Sequence, residues 1–447
     1  MKLLFLSDNF PPEVNAPATR TFEHCRYWAR RGVDVTVITC NPNFPQGEIY
    51  DGYKNKLYQK EMIDGVTVIR VWSFMAPNVG MFKRIFDFLS YAIMAFIVGL
   101  FQKTDLIIAT SPQLFTAVAG RWLSFFKRTP WIMEVRDMWP ESIKSVGVNT
   151  GGRWIFKRLE ILEKSLYRAA DEIVVVTDAF KRIIAQKGIR ARKIDVVKNG
   201  VMLNNFLPMP KDTDLIKELN LEGKFIVGYL GTHGMAHALD FIVKSAPKIK
   251  DKKVHLLFIG DGAKKQDLVQ LKEELQVDNI TFLPFQAKSD IKRYISILDV
   301  ALVNLKKSEV FKSVIPSKIF ENAAMQKPIL LGVEGESKDI IDSYGAGLSF
   351  EPENEADFLL KLKMISENPE GYQQYKENCA KLANDFDRNY LAEKMLGYIK
   401  EFSRLPQPVK NPQPVVVAEA VTEVDYSKLE RKRKPRRAKR RAKSSLV

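Results

Sequence analysis

Residues 315–325 read Ile-Pro-Ser-Lys-Ile-Phe-Glu-Asn-Ala-Ala-Met, and Ser317, Lys318 and Glu321 within them could act on one ligand. Pro316 and Ser317 read as the entry to a helix, since proline is tolerated in a first turn and serine can cap open N–H groups. Ile319, Phe320, Ala323 and Ala324 recur at helical spacing, and Pro328 stops the run before a short apolar strand. Helix N-termini collect anions, so Lys318 in the first turn suits a diphosphate. Glu321, one turn further on, suits a pair of ribose hydroxyls. The plainer alternative is a surface helix whose charges do nothing, and the rest of the chain must decide between them.

Two glycine turns add a second kind of site. Gly231-Thr232-His233-Gly234 and Gly260-Asp261-Gly262 each follow an apolar run, and glycine lets a ligand approach the backbone closely. Lys264 and Lys265 open the helix after the second turn. His233 and His237 stand four apart, as a helical metal pair would, but the stretch lacks the glutamate of H-E-x-x-H and begins in a glycine loop. Ligand hydrogen bonding, packing or capping is the expected role, and no metal is expected. Arg136 could contact a phosphate or carboxylate, or form a structural ion pair with Asp137 or Glu134.

These groups need a frame at the ends of strands. Residues 2–7 form a short apolar strand, 8–17 a loop, 19–31 a helix and 33–39 a second strand, a βαβ unit that predicts a parallel sheet. Ligands bind such sheets at the carboxyl ends of strands, which makes the loop with Glu13 and Asn15 a candidate site. There is no G-x-G-x-x-G, so a dinucleotide fold of the usual kind is disfavoured. Strands over 66–72, 105–109 (ending in Thr110-Ser111-Pro112), 131–135, 172–177 and 194–197 continue the first half. Residues 204–223, with Pro208 and Pro210, read as a linker. The pattern then restarts with strands at 225–230, 254–259, 279–283, 300–304 and 329–332. Residues 88–101 are the most apolar run, short of the roughly 20 that a spanning helix needs. They read as a core helix or one lying on a membrane surface. Residues 387–402 form an amphipathic helix.

Composition excludes several classes. The chain has 447 residues, 46% hydrophobic and 27% charged, as in an ordinary globular protein of two or three domains. Cys25, Cys40 and Cys379 are scattered, without metal or disulfide spacing, which fits a reducing compartment. A strand beginning at Lys2 predicts no signal peptide and a cytoplasmic location. The net charge of +16 is concentrated at the end: eleven Lys or Arg and one acid between Lys428 and Lys443 contribute +10. The remaining +6 is not the footprint of a nucleic-acid-binding domain. Residues 405–424, with four prolines, read as a linker, and the basic tail beyond it as disordered.

Two α/β halves, the glycine turns and Pro-Ser-Lys-Ile-Phe-Glu-x-x-Ala-Met-x-x-Pro together resemble the two-Rossmann-domain (GT-B) glycosyltransferases of family four, the retaining group. Residues 6–13, 136–142, 231–237 and 333–337 resemble the WbuB-like subgroup, which acts in bacterial O-antigen and capsule assembly. The resemblance covers residues 1–402. It implies an α/β fold of two Rossmann-like domains facing across a cleft. Acceptor binding would fall to residues 1–200 and nucleotide-sugar binding to 201–385. A helix over 386–404 would pack back on the first domain, and 405–447 would form the linker and disordered basic tail.

By the same resemblance Glu321 matches the glutamate that binds the nucleotide ribose, and Ser317 and Lys318 face the diphosphate. Gly231, Thr232, His233, Gly234, Gly260, Asp261, Gly262, Lys264, Ser313 and Pro316 would line the nucleotide-sugar pocket, with the backbone around Pro284 at the base. Glu13, Asn15, Ser111, Arg136 and Asp137 lie on the acceptor side, and Glu321, Lys318, Glu13 and Asp137 are the candidate catalytic groups. Two departures stand out. The family's glutamate eight residues before Glu321 falls at Ser313. The usual Arg and Lys of the glycine loop fall near Tyr229 and Gly234, so Lys318 and Lys264 would have to meet the diphosphate charge. The implied reaction moves a sugar, an N-acetylated hexosamine or deoxyhexosamine, from a UDP-linked donor to a polyprenyl-diphosphate-linked saccharide at the inner membrane face, without a metal or other cofactor. Competing readings are an epimerase of nucleotide-sugars on the same architecture and a lipid- or nucleic-acid-binding protein acting through its tail.

Overall fold

Apolar, β-branched runs with buried residues on both faces build two parallel sheets, as strands covered by helices on either side must. A computed structural model describes residues 1–44, 47–75, 81–111, 113–141, 153–287 and 289–402. Pro112, Ser142 and the basic tail lie outside the described residues.

The first sheet has the order β3-β4-β2-β1-β5-β6-β7-β8. Its strands are β1 Lys2–Leu6, β2 Asp34–Cys40, β3 Tyr58–Ile63, β4 Val66–Val71, β5 Leu106–Thr110, β6 Trp131–Val135, β7 Glu172–Val175 and β8 Ile194–Val196. β1 is central, with Leu3 opposite Val35 on one side and Leu106 on the other. Sequence reasoning missed β3, the antiparallel edge strand. Its alternate half-buried and exposed residues give little hydrophobic signal, and it is joined to β4 through Asp64 and Gly65, both at positive φ.

The second sheet has the order β11-β10-β9-β12-β13-β14. It comprises β9 Phe225–Leu230, β10 Val254–Ile259, β11 Ile280–Leu283, β12 Val300–Asn304, β13 Ile329–Gly332 and the short, unforeseen β14 Gly347–Ser349. The expected linker over 204–223 is more ordered than its prolines suggest. Thr213–Glu218 is a helix whose N-cap, Asp212, accepts from the Leu215 N–H, and Leu215 and Leu221 enter the second core.

The last helix, Arg388–Phe402, returns to the first half. Leu391, Met395, Leu396 and Ile399 join Leu3, Phe5, Phe22 and Trp28 in one apolar cluster. Trp28 Nε1 donates to Ala392 O at 2.8 Å. Each such side chain contributes about 1.5–3 kcal/mol by burial, so the end of the described chain is fastened to its beginning. The chain therefore crosses between halves twice, and the crossings touch: Val201 N–H donates to Phe386 O at 3.1 Å, and Arg388 N–H to Val201 O at 2.9 Å.

The apolar run at 88–101 belongs to a longer helix, Met81–Leu100, of 20 residues. Tyr91, Ala92, Ala95 and Val98 enter the core, while Phe86, Ile93 and Ile97 are exposed. One face of the helix thus belongs to the core, and the opposite face is exposed. Among the described residues no helix is long and apolar enough to cross a membrane.

Candidate active site

β9 and β10 run side by side, and the turns that leave them interlock. Gly231 N–H donates to Ile259 O at 2.8 Å and His233 N–H to Asp261 O at 2.9 Å. A Cβ on Gly260 would stand 1.9 Å from the Gly231 carbonyl oxygen, and one on Gly262 2.6 Å from that of His233. With φ at +146° and +154°, both positions exclude a side chain by backbone region as well as by space.

Gly231 in turn makes room for Lys318, whose Nζ would lie 2.4 Å from a Cβ there. The lysine nitrogen rests 3.9 Å from the centre of the Tyr229 ring. Burial pulls its pKa down to about 7, against the opposing effect of Glu321. The helix behind it, Lys318–Ala324, is only seven residues long, and Ser317 makes no capping bond with its side chain. Ile319 and Phe320 already donate to Pro316 O at 3.2 Å and Ser317 O at 3.1 Å. The expected anion site at the helix end is corrected accordingly. The N–H groups of Ile319 and Phe320 are bonded within the turn, and the Lys318 side chain is the group placed to meet a phosphate.

Ser317, Lys318 and Glu321 line a cleft of about 250 Å³ together with Gly231 and Gly260. Val14, Ala16 and Thr19 of the first half also line it, as do Phe285 and Gln286 after β11 and Arg388 from the last helix. A cation, a carboxylate, close backbone and a flat apolar ring are here presented together, between two Rossmann-like halves.

Known proteins fit this arrangement. Residues 15–200 match the model of the glycosyl transferase 4-like domain, and residues 211–382 that of the glycosyl transferases group 1. The two matches account for most of the chain, one for each half. The chain belongs to the glycosyltransferases. WcaI of Escherichia coli K12, named as a glycosyl transferase of colanic acid biosynthesis, is 24% identical over 79% of this chain and 89% of its own. WbjE of Pseudomonas aeruginosa, named as a glycosyltransferase, is 26% identical over 56% of this chain and 63% of its own. Among solved structures, Anabaena HepE in complex with UDP superposes with a TM-score of 0.66 at 16% identity, covering 90% of this chain and all (100%) of HepE. That likeness establishes the GT-B fold.

The glycosyltransferase places its other expected donor-side residues unevenly. Lys264 is turned away from the cleft: its Nζ pairs with Asp267 at 2.8 Å, both exposed, and it borders a separate hollow shared with Gly234. Lys265 is spent as well, donating to Gly260 O at 2.7 Å and to Leu283 O. The expectation that Lys264 meets the diphosphate is therefore corrected, because its partner on the same helix holds it outward. Asp261 Oδ1 accepts from Gly262 N–H at 2.7 Å, and Thr232 O accepts from the Tyr229 hydroxyl at 2.8 Å, so both shape the turns. His233 is fully buried against Tyr229, Phe258 and Phe282. Burial lowers the pKa of His233 and of His237 to about 4, so both rings are neutral. Pro284 O accepts from Gln286 Nε2 at 3.1 Å, and it is the neighbours Phe285 and Gln286 that line the cleft. Ser313 Oγ donates to Val310 O at 2.8 Å inside its own turn.

On the acceptor side the expected residues are engaged with backbone groups, mostly of neighbouring segments. Glu13 Oε1 accepts from the N–H groups of Asn43 and Phe44, both at 2.9 Å. Burial raises its pKa to about 7. Asn15 caps the helix Ala16–Arg30 by accepting from Ala18 N–H at 2.8 Å. Ser111 Oγ accepts from Arg136 N–H at 2.7 Å and from Asp137 N–H at 3.4 Å. Arg136 donates to Pro17 O and Ala16 O, each at 3.1 Å. Of the two partners weighed for an ion pair with Arg136, Glu134 is taken by Arg20 at 3.1 Å in the core.

Two positions that join the halves were not singled out from the sequence. Arg388 binds Glu23 and the Gly200 carbonyl oxygen at the crossing between halves. Glu336, at the start of a second-half helix, accepts from Asp178 N–H at 3.0 Å and Ala179 N–H at 2.8 Å of the first half. Lys198 lies 3.2 Å from it and 2.7 Å from Asp178. The signal was the Gly335-Glu336 pair. Gly335 sits at φ +72° where a Cβ would strike Lys312 O at 2.1 Å, and it delivers Glu336 to the other half.

Proposed function

We propose that this glycosyltransferase binds a UDP-linked sugar in the cleft at Lys318 and Glu321. It would pass the sugar, an N-acetylated hexosamine or deoxyhexosamine, to a polyprenyl-diphosphate-linked saccharide in bacterial cell-surface polysaccharide assembly. The observation that carries this reading is that Ser317, Lys318 and Glu321 line one cleft together with Val14, Ala16 and Thr19 of the first half. Lys318 neutralises the departing diphosphate. A buried amine with a pKa of about 7 takes up a proton as the anion arrives, so charge is supplied when it is needed. Glu321 accepts from the ribose hydroxyls, and Phe285 with Gln286 meets the base. The Lys318 cation then serves the diphosphate, and the reading calls for no metal.

Support for the donor comes from HepE, solved with UDP, with UDP and glucose, and with UDP-glucose. Support for polysaccharide assembly comes from relatives named for colanic acid and teichuronic acid biosynthesis. By the resemblance of its motifs to family four, the retaining group, the enzyme retains anomeric configuration. Residues 1–200 hold the acceptor, 201–385 the donor, and 386–404 tie the two, at the cytoplasmic face of the inner membrane. Transfer of radiolabelled sugar from UDP donors to a polyprenyl-diphosphate saccharide in detergent tests the reading. Label should move to lipid only with the wild type, not with Glu321→Ala. Label that leaves UDP without an acceptor, or donor that is isomerised instead, would refute it.

A further inference from the structure

We propose that the aromatic surface shared by the helices Met81–Leu100, Leu114–Lys127 and Arg153–Ala169 lies on an anionic lipid bilayer. On the first helix Phe86, Ile93 and Ile97 form an outward stripe that Phe101 continues, 80% exposed. The second helix adds Trp122, Phe125 and Phe126, of which Phe125 is 71% exposed. These two groups are one surface: Phe126 lies 6.1 Å from Trp122 and 5.7 Å from Phe96 between ring centres. Lys127 Nζ donates to Leu100 O at 2.9 Å, closing the seam. The third helix is joined by Arg121, which donates to Ser165 Oγ at 2.6 Å, and it contributes Trp154 at 68% exposure. A monomer rarely leaves so much contiguous aromatic surface in water.

The charge around this surface selects its occupant. Lys83, Arg84, Lys103, Arg128, Lys157 and Arg158 are all exposed on the same three helices or immediately after them. Arg84 lies 5.4 Å from the Phe88 ring centre and Arg158 4.9 Å from that of Trp154, cations laid along the aromatic rings. Aromatic side chains with a basic rim match the boundary between acyl chains and anionic headgroups. A second copy of the chain would set these like charges against each other, whereas an anionic bilayer attracts each by about 1 kcal/mol. The first helix lies flat rather than spanning, since its opposite face is in the core and the Tyr91 hydroxyl donates to Ile38 O at 2.8 Å. That inner face also carries Asp87, which shares its electrostatic environment with Asp8 and Glu13 of the strand-end loop. The docking surface therefore backs directly onto the acceptor-side loop. For its purpose, though not for its existence, docking rests on the lipid-linked acceptor proposed above.

The test is sedimentation of the full chain with vesicles of phosphatidylglycerol and phosphatidylcholine, read together with quenching by brominated lipids. High salt screens the attraction of the basic tail and of the basic rim alike, and leaves the aromatic contact to hold the protein. The wild type should remain bound at high salt. Phe125→Glu with Phe126→Glu should weaken binding at least tenfold, with the melting temperature and its shift by UDP unchanged. Trp122→Phe should keep binding and lose part of the quenching. Three results would overturn the proposal: no wild-type binding at high salt, variants that sediment like the wild type, or light scattering showing a dimer that Phe125→Glu with Phe126→Glu dissociates. A missing UDP shift in the wild type would instead overturn the donor reading and leave docking standing on the vesicle data.

Discussion

The two halves end their strands in polar loops, but they use those polar groups differently. In the first half Glu13, Asn15, Ser111 and Arg136 bond to backbone groups of neighbouring loops. In the second half the backbone itself interlocks through Gly231, Gly260 and Gly262, which leaves Lys318 and Glu321 along the cleft. A polar residue at a strand end is thus a candidate for function only after its local bonds are counted. The second half is built to receive a charged ligand. The first half contributes Val14, Ala16 and Thr19 to the lining of the same cleft.

The comparison can be broken most forcefully at Gly260. Gly260→Ala puts a Cβ into the Gly231 carbonyl and should cost about 3 kcal/mol or more of stability, measured by urea unfolding. A mild effect would mean that the interlocked turns are not needed. Lys318→Ala should weaken UDP binding ten- to a hundredfold, about 1.4–2.8 kcal/mol by calorimetry, without loss of stability. Glu13→Ala should do the reverse. It strands two N–H groups and costs about 1–2 kcal/mol of stability, with UDP affinity unchanged. An equal loss of affinity in both variants would erase the distinction between the halves.

The pH dependence sharpens the same contrast. Lys318 titrates near 7 in the fold against 10.5 in the unfolded chain. The unfolded state therefore holds more protons between those values, and this residue makes stability rise with pH from about 7 to 10.5. Glu13 is opposite: its carboxyl is raised from 4.5 to about 7, so its contribution falls as pH rises through that window. Stability profiles of Lys318→Met and Glu13→Gln should each lose the corresponding slope, and a profile unchanged in either variant would contradict its assignment. The smallest effect is expected at Glu336→Gln. Loss of its charge toward Lys198 and the helix Asp178–Gln186 should cost about 1 kcal/mol, fading at high salt.

Much of the second-half site was legible in the sequence because its signals are local. Pro316-Ser317-Lys318 and Glu321 sit within two turns of chain, and glycines at strand ends announce close backbone. Lys264 misled because a charge beside a glycine turn reads the same whether or not Asp267 holds it outward. The bonds that Glu13 and Arg136 make were not legible, because their partners are remote in sequence or backbone. Phe285, Gln286 and Arg388 carry no motif, and Glu336 was noted only as part of the stretch 333–337; their places arise only when separate segments meet. The apolar run at 88–101 was recognisable as ambiguous, and its two faces explain why. β3 and β14 were missed because short or half-exposed strands carry too little periodicity.

The most direct test of the donor site is the thermal midpoint of the wild type, Lys318→Ala and Glu321→Ala against UDP, GDP and ADP. A nucleotide at 100 times its Kd should stabilise the protein by about 2.7 kcal/mol. The account predicts a shift with UDP in the wild type that is strongly reduced in both variants. A UDP shift of equal size in all three proteins would place the nucleotide elsewhere and contradict it.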